Sequence, residues 1–319
     1  MPVVPSFYRA PAFLPGGHLQ TIWPALFRHP QQVTTVPETL ELPDGDFLQL
    51  DWYRAGNSKL AILSHGLEAS SQAPYIQGMA GALSRNGWDV LAWNFRSCGS
   101  EPNRLLRSYH SGATEDLEAV IGHAIATHPA EEIDLMGFSL GGNLTLKYLG
   151  ERTELPSQIH RAVAFSVPCD LASSAAALAR PENWIYMKRF LGPLRKKMLA
   201  KALAFPDQLD VSGIGQIRTF QQFDDRFTGP IHGFRDADDY WTRSSSRQFL
   251  SNIKVPTLLV NAANDPFLSE ACFPIEEAES SSYFHLEMPA TGGHVGFPTY
   301  PNTHGWWSEM RAIEFLQSE

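Results

Sequence analysis

The chain has 319 residues, 43% apolar and 18% charged, and its 25 basic and 34 acidic side chains give a formal charge of -9. This is an ordinary globular composition, which excludes a disordered chain, and an acidic balance without a clustered basic field excludes nucleic acid as an expected partner. Cys98, Cys169 and Cys272 are far apart and lack C-x-x-C spacing, and no H-E-x-x-H or comparable ligand cluster occurs, so the cysteines read as small buried hydrophobes and neither a metal nor another cofactor is expected.

The N-terminus has no basic region followed by an unbroken apolar run, and no stretch reaches membrane-spanning length. Together these predict a soluble cytoplasmic protein. Residues 1–33 are rich in proline, glycine and aromatics, and read as an N-terminal arm wrapped over the core. Thr35 to Leu42 and Phe47 to Tyr53 are alternating runs joined by Pro43-Asp44-Gly45-Asp46, the signature of a hairpin.

The pattern then switches to strands alternating with helices. Leu60 to Ser64 and Trp88 to Asn94 read as strands, with Ile76 to Asn86 as the helix between them. Thr114 to Thr127 is an amphipathic helix with Thr114 as its cap and Leu117, Val120, Ile121 and Ala124 on one face. Glu132 to Met136 is a strand, Leu140 to Gly150 a helix and Ile159 to Val167 a further strand. Near-continuous apolar strands in βαβ order imply a mostly parallel twisted sheet with helices on both faces.

Gly137-Phe138-Ser139-Leu140-Gly141 lies where the Glu132 strand turns into the Leu140 helix. A serine between glycines at such a turn is a nucleophile elbow, held strained so that its hydroxyl projects into open space. The bare motif also fits a serine that merely N-caps a helix, so its surroundings decide.

The alternation stops over residues 168–252, which read as a cap or lid insertion. Trp184, Met187, Leu191, Leu194 and Met198 recur at helical spacing, with Gly192-Pro193 interrupting, which suggests a helical hairpin. Lys188, Arg189, Arg195, Lys196, Lys197 and Lys201 occupy the other positions as a solvated basic face. Two compatible readings follow: a packed cap, or a lid whose basic amphipathic surface makes transient contact with a membrane.

Strands resume at Val255 to Asn261 and Tyr283 to Met288, and Trp306 to Leu316 closes the chain as a helix. The core is therefore residues 34–167 and 253–319. Asp265 follows the first of these strands and His294, in Gly292-Gly293-His294-Val295-Gly296-Phe297, follows the second. Ser139, Asp265 and His294 have the order and loop positions of a serine hydrolase triad, in which the acid orients the base and the base activates the hydroxyl. His285 competes as the base but sits inside a strand, while Asp224, Asp225, Asp236, Asp238 and Asp239 sit in the insertion and read as cap or turn residues. Leu140 and Leu67, the latter in the loop His65-Gly66-Leu67, are the backbone N–H donors expected to form the oxyanion hole.

HGLEASSQAPY (65–75), NFRSCGSEPNRLLRSYHSG (94–112), GFSLGGN (137–143), FDDRFTGPIHGFRDADDYW (223–241), NAANDPF (261–267) and GGHVGF (292–297) together resemble the YheT-like branch of the α/β-hydrolases, and the early block GHLQT (17–21) is similar too. That branch includes abhydrolases related to phospholipases and yeast acyltransferase/esterases of medium-chain esters. The resemblance implies the α/β-hydrolase fold, Ser139 as nucleophile, Asp265 as acid and His294 as base. Ala69 stands where the branch has glycine, and Ser97-Cys98-Gly99 replaces its Gly-Cys-Ser order. The expected activity is cleavage of a small-molecule ester or lipid through an acyl-enzyme. The apolar cap residues Trp184, Met187, Phe190 and Leu191 favour an apolar acyl chain, and alcohol acyl transfer and a non-catalytic binding module are the alternatives.

Overall fold

The computed structural model describes residues 2–30, 33–300 and 305–318. Among them, the strands β1 (Val3–Val4), β2 (Val36–Glu41), β3 (Phe47–Tyr53), β4 (Lys59–Ser64), β5 (Trp88–Asn94), β6 (Glu132–Phe138), β7 (Ile159–Phe165), β8 (Thr257–Val260) and β9 (Phe284–Glu287) form a nine-stranded sheet. Its order is β1-β9-β8-β7-β6-β4-β5-β3-β2. The run from β1 to β5 is parallel, and the β2–β3 hairpin adds an antiparallel edge through β3 against β5.

Period-two alternation within buried strands supplies two cores from one sheet. Leu60 and Ile62 of β4, Leu91 and Trp93 of β5, and Ile133 and Leu135 of β6 point to one face. Helices α3 (Thr114–Thr127) and α4 (Leu140–Glu151) cover that face with Leu117, Val120, Ile121 and Leu144. The intervening Ala61, Leu63, Val90, Ala92, Met136 and Phe138 point to the other. There α2 (Pro74–Arg85) and the last helix, α8 (Trp307–Leu316), close over them with Ile76, Met79, Leu83 and Phe315.

Two local expectations need correction. The second helix begins at Pro74, not Ile76, because proline at the first helical position loses only an amide that would be unbonded anyway. Thr114 is not the cap of α3: it is the first helical residue, and its hydroxyl donates to Glu151 at the end of α4. The N-terminal arm contributes structure of its own, since β1 extends the sheet and Gly16–Phe27 forms helix α1. Met1, Gln31 and Gln32 of that arm lie outside the described residues.

Between β7 and β8 the chain forms α5 (Leu171–Leu178), α6 (Trp184–Ala204), a helical stretch over 220–231 and α7 (Ala237–Ser244). These carry their own apolar clusters, one built on Met187, Leu191, Met198, Phe223 and Phe227, the other on Leu171, Tyr240 and Trp241. No hairpin forms at Gly192-Pro193; α6 runs through it for 21 residues. Pro193 lies on the exposed side, so the Arg189 carbonyl that loses its helical partner can turn to water. The basic face is also not wholly solvated: Lys201 is buried and Lys197 points inward, while Trp184, expected on the packed side, is exposed. No described helix is long and apolar enough to cross a membrane.

Candidate active site

β4, β6, β8 and β9 are parallel neighbours or near neighbours, so the loops after them meet at one rim of the sheet, where sites of open α/β sheets lie. The turn after β6 is forced by its glycines. A Cβ on Gly137 would sit 2.4 Å from the Gly141 carbonyl oxygen, and one on Gly141 would sit 2.3 Å from that of Ser64. Ser139 between them has φ 53 and ψ -118, a conformation that L-residues other than glycine rarely adopt. It occupies the N-cap position of α4, yet its side chain makes no capping bond. Its Oγ lies instead 2.9 Å from His294 Nε2.

His294 Nδ1 is 2.8 Å from Asp265 Oδ2, and the other carboxylate oxygen accepts the Phe267 amide at 2.9 Å. Asp265 is thus held from both sides, and the Phe267 ring stacks on the imidazole with centroids 4.0 Å apart. The structure brings Ser139, His294 and Asp265 into one hydrogen-bonded chain although they are separated by 155 and 29 residues. Nδ1–H donation to the carboxylate leaves Nε2 with its lone pair toward the serine hydroxyl. His285 is remote from this chain, its ring packing on Phe315 from strand β9.

The loop after β4 is pinned by a buried histidine. His65 Nε2 accepts the Phe95 amide at 3.2 Å, which places its proton on Nδ1, donated to the Gly66 carbonyl at 2.8 Å. Burial keeps this ring neutral, pushing its pKa down to about 3. The Gly66 carbonyl also accepts the Ala69 amide at 3.2 Å, closing a turn whose third residue, Glu68, has φ 52. That is the pattern of a type II turn with a non-glycine residue at the position that favours glycine. The C=O and N–H of a trans peptide point opposite ways, so anchoring the Gly66 carbonyl aims the Leu67 N–H away from His65. Leu67 and Leu140 both line the cavity that holds Ser139 and His294. Leu140 opens α4, where leading amides have no intrahelical acceptor.

The cavity, of about 120 Å³, is walled by Leu171, Leu178, Phe190, Leu194, Phe220 and Phe267. Among the acids assigned to turns, Asp236 does cap α7, accepting the Asp239 amide at 2.8 Å. Asp224 does more than end a turn. It lines the cavity and accepts from Thr228 Oγ1 at 2.6 Å and Trp241 Nε1 at 2.9 Å, and burial pushes its carboxyl up to about 7.

Sequence reasoning missed what α1 does here. Gln20 Oε1 accepts from Asn264 Nδ2 at 2.9 Å and from the Gly292 amide at 2.8 Å, and so joins the loops of the acid and the histidine. Thr21 Oγ1 accepts the His294 amide at 2.8 Å. The fit admits no side chains: a Cβ on Gly17 would lie 1.9 Å from the Asn264 carbonyl oxygen, and one on Gly296 the same distance from that of Gln20. The GHLQT block is the brace of the rim, a role that nothing in its local pattern signals.

Comparison with known proteins agrees with this architecture. Residues 62–298 match the model of the alpha/beta hydrolase fold family. The chain is 34% identical to the candidate esterase YheT of Escherichia coli K12 over 94% of its own length and 89% of that protein's. It is 31% identical to the mouse phospholipase ABHD3, covering 82% of this chain but 66% of that protein, so it spans about two thirds of that relative. Among solved structures, the Pyrococcus furiosus esterase Pf2001 superposes with a TM-score of 0.60 at 20% identity, covering 90% of this chain and 95% of that one. The fold, the motif content and these likenesses converge: the chain belongs to the α/β-hydrolase family, in the branch of YheT.

Proposed function

We propose that the protein is a serine carboxylic-ester hydrolase working through an acyl-enzyme on Ser139. The observation that carries this reading is the chain from Ser139 Oγ to His294 Nε2 and from His294 Nδ1 to Asp265, set on a strained elbow. His294 takes the serine proton as Oγ attacks the ester carbonyl, and Asp265 stabilises the imidazolium. The oxyanion rests on the Leu67 and Leu140 amides. Collapse of the tetrahedral intermediate expels the alcohol, which leaves with the proton from His294, and water repeats the cycle to free the acid.

The apolar walls of the cavity support an apolar acyl chain as the substrate's recognised part, in keeping with relatives named as phospholipase and monoacylglycerol lipase. The outer side of α6 exposes Trp184, Ile185, Leu199 and Leu203 beside Lys188, Arg189 and Lys196, which suits transient contact with an anionic lipid surface. Because Phe190 and Leu194 roof the site, an alcohol that enters with the acyl-enzyme competes with water, and acyl transfer is the second reading.

A fluorophosphonate probe is expected to label the native protein at Ser139 and to leave Ser139→Ala unlabelled and inactive on p-nitrophenyl esters. A folded native protein that is not labelled favours a binding module instead. Esters of graded acyl length, assayed with and without ethanol, separate hydrolysis from transfer, and co-sedimentation with anionic against neutral vesicles tests the surface contact.

A further inference from the structure

We propose that Lys197 of α6 and Glu68 of the loop after β4 form a positioning pair that holds the Leu67 amide in its oxyanion-binding place, making that donor competent only while the cap is seated. The proposal rests on the hydrolase reading above.

Glu68 directly follows Leu67 and is held at φ 52, in the left-handed region. A residue with a Cβ persists there only when its surroundings impose it. Its N–H donates to Tyr109 Oη at 3.1 Å, and its Oε1 accepts from Tyr109 Oη at 2.6 Å and from Lys197 Nζ at 2.7 Å. Upstream, His65 anchors the Gly66 carbonyl and the Tyr75 hydroxyl accepts the Gly66 amide at 2.9 Å. Both upstream anchors come from the core. Downstream, the Glu68 carboxylate is shared between the core, through Tyr109, and the cap, through Lys197.

Lys197 is committed to this contact. Its Nζ also lies 3.2 Å from Cys98 Sγ and 5.1 Å above the Tyr109 ring, and the Glu68 side chain is 5% exposed. One turn on, Lys201 Nζ donates to Asn103 Oδ1 at 2.8 Å and to the Leu105 carbonyl at 2.5 Å, so α6 is fastened by two inward lysines. Phe190 and Leu194 on the same helix line the cavity. A displacement of α6 large enough to open that wall withdraws the Lys197 cation from Glu68. The carboxylate is then left beside Tyr109 alone, and the strained turn is free to relax with the Leu67 amide on it. The shift required is small, because a misplacement of about 1 Å at a catalytic contact can cost on the order of 100-fold in rate.

The test is steady-state kinetics on a short p-nitrophenyl ester for the native protein, Lys197→Met, Lys197→Arg, Glu68→Gln and the Met/Gln double variant. Affinity for an alkyl boronic acid, whose tetrahedral adduct needs the oxyanion donors, is measured in parallel. Lys197→Met and Glu68→Gln are each expected to lower kcat about 10-fold with KM changed less than about 2-fold. Boronate affinity should fall by the same factor, Lys197→Arg should recover most of kcat, and the double variant should be no worse than either single one. Unchanged kcat in a labelled, folded Lys197→Met overturns the pair while leaving the hydrolase reading intact. So does a loss that falls on KM or melting temperature alone and is not rescued by arginine. Glu68→Gln, which keeps the shape of the side chain, decides the matter if Lys197→Met fails to fold. A native protein that fluorophosphonate does not label overturns the hydrolase reading, and the pair with it.

Discussion

The catalytic rim and helix α6 of the cap are held by different means. At the rim, backbone meets backbone: glycines at 17, 137, 141 and 296 let main chains pass where a Cβ would lie 1.9 to 2.4 Å from a carbonyl oxygen, and Gln20 and Thr21 hydrogen-bond the main chain of the histidine's loop. Helix α6 of the cap, with its own apolar cluster, reaches the core by side chains, with Lys197 and Lys201 extended inward and Phe267 received from the acid's loop. Main-chain contacts fix atoms to a fraction of an ångström, whereas long side chains give. Under the proposed function the contrast puts rate at the rim and substrate choice at the cap, with the proposed Lys197–Glu68 pair linking α6 to the rim.

The harshest test of that division is at the triad. Ser139→Ala and His294→Ala should each lower kcat by a factor on the order of 10⁴ or more, and the double variant should be no worse, because the two act as a unit. Next is Leu67→Pro, which deletes the proposed oxyanion donor where proline suits the second position of a type II turn. A loss of about 10²–10³ in kcat is expected with the fold retained by circular dichroism; a smaller loss would mean that the rim stabilises the oxyanion without this amide. Thr21→Val, which removes the hydroxyl that accepts the His294 amide, should cost about 1 kcal/mol of stability and about 10-fold in kcat with little change in KM. A pure KM effect would break the contrast.

The gentlest test lies in the cap and concerns stability. The Asp224 carboxyl is pushed up to about 7 by burial, so the folded protein keeps a proton that the unfolded chain loses near its ordinary value of 3.8. Native protein binds more protons than unfolded protein between those two values, and stability therefore falls as pH rises across that window and stays at the lower level above it. Asp224→Asn keeps an acceptor for Trp241 and supplies a donor for Thr228. It should flatten the melting temperature between pH 4 and 7 and melt above the wild type at pH 8.

What could be read from the sequence divides along a different line, between local patterns and distant contacts. The β/α alternation, the elbow, and the loops bearing Asp265 and His294 are local patterns, since period-two apolarity and glycine spacing are written in neighbouring residues. The brace from α1 is not local: Gln20 meets Gly292 across 272 residues, and no nearby pattern encodes that meeting. Within α6, composition marks Lys197 and Lys201 as surface residues like Lys188 or Lys196. Only the approach of residues 68 and 103–107 distinguishes them. Gly192-Pro193 reads as a break because the two residues are poor helix formers, but a proline on the wet side of a helix costs less than one facing a packed neighbour.

The coupling of Gly17, Gln20 and Thr21 to residues 264 and 292–296 also bears on the order in which the protein matures. A ribosome delivers the early helix long before the segment it must clasp, and most of the sheet can assemble in between. The imidazole loop therefore seats late, when the two distant stretches of polymer find one another, and high sequence separation makes such encounters slow. Under the proposed mechanism, catalytic competence is then among the last properties the nascent chain acquires, since an incompletely synthesised copy carries Ser139 without the seated His294 that would activate it.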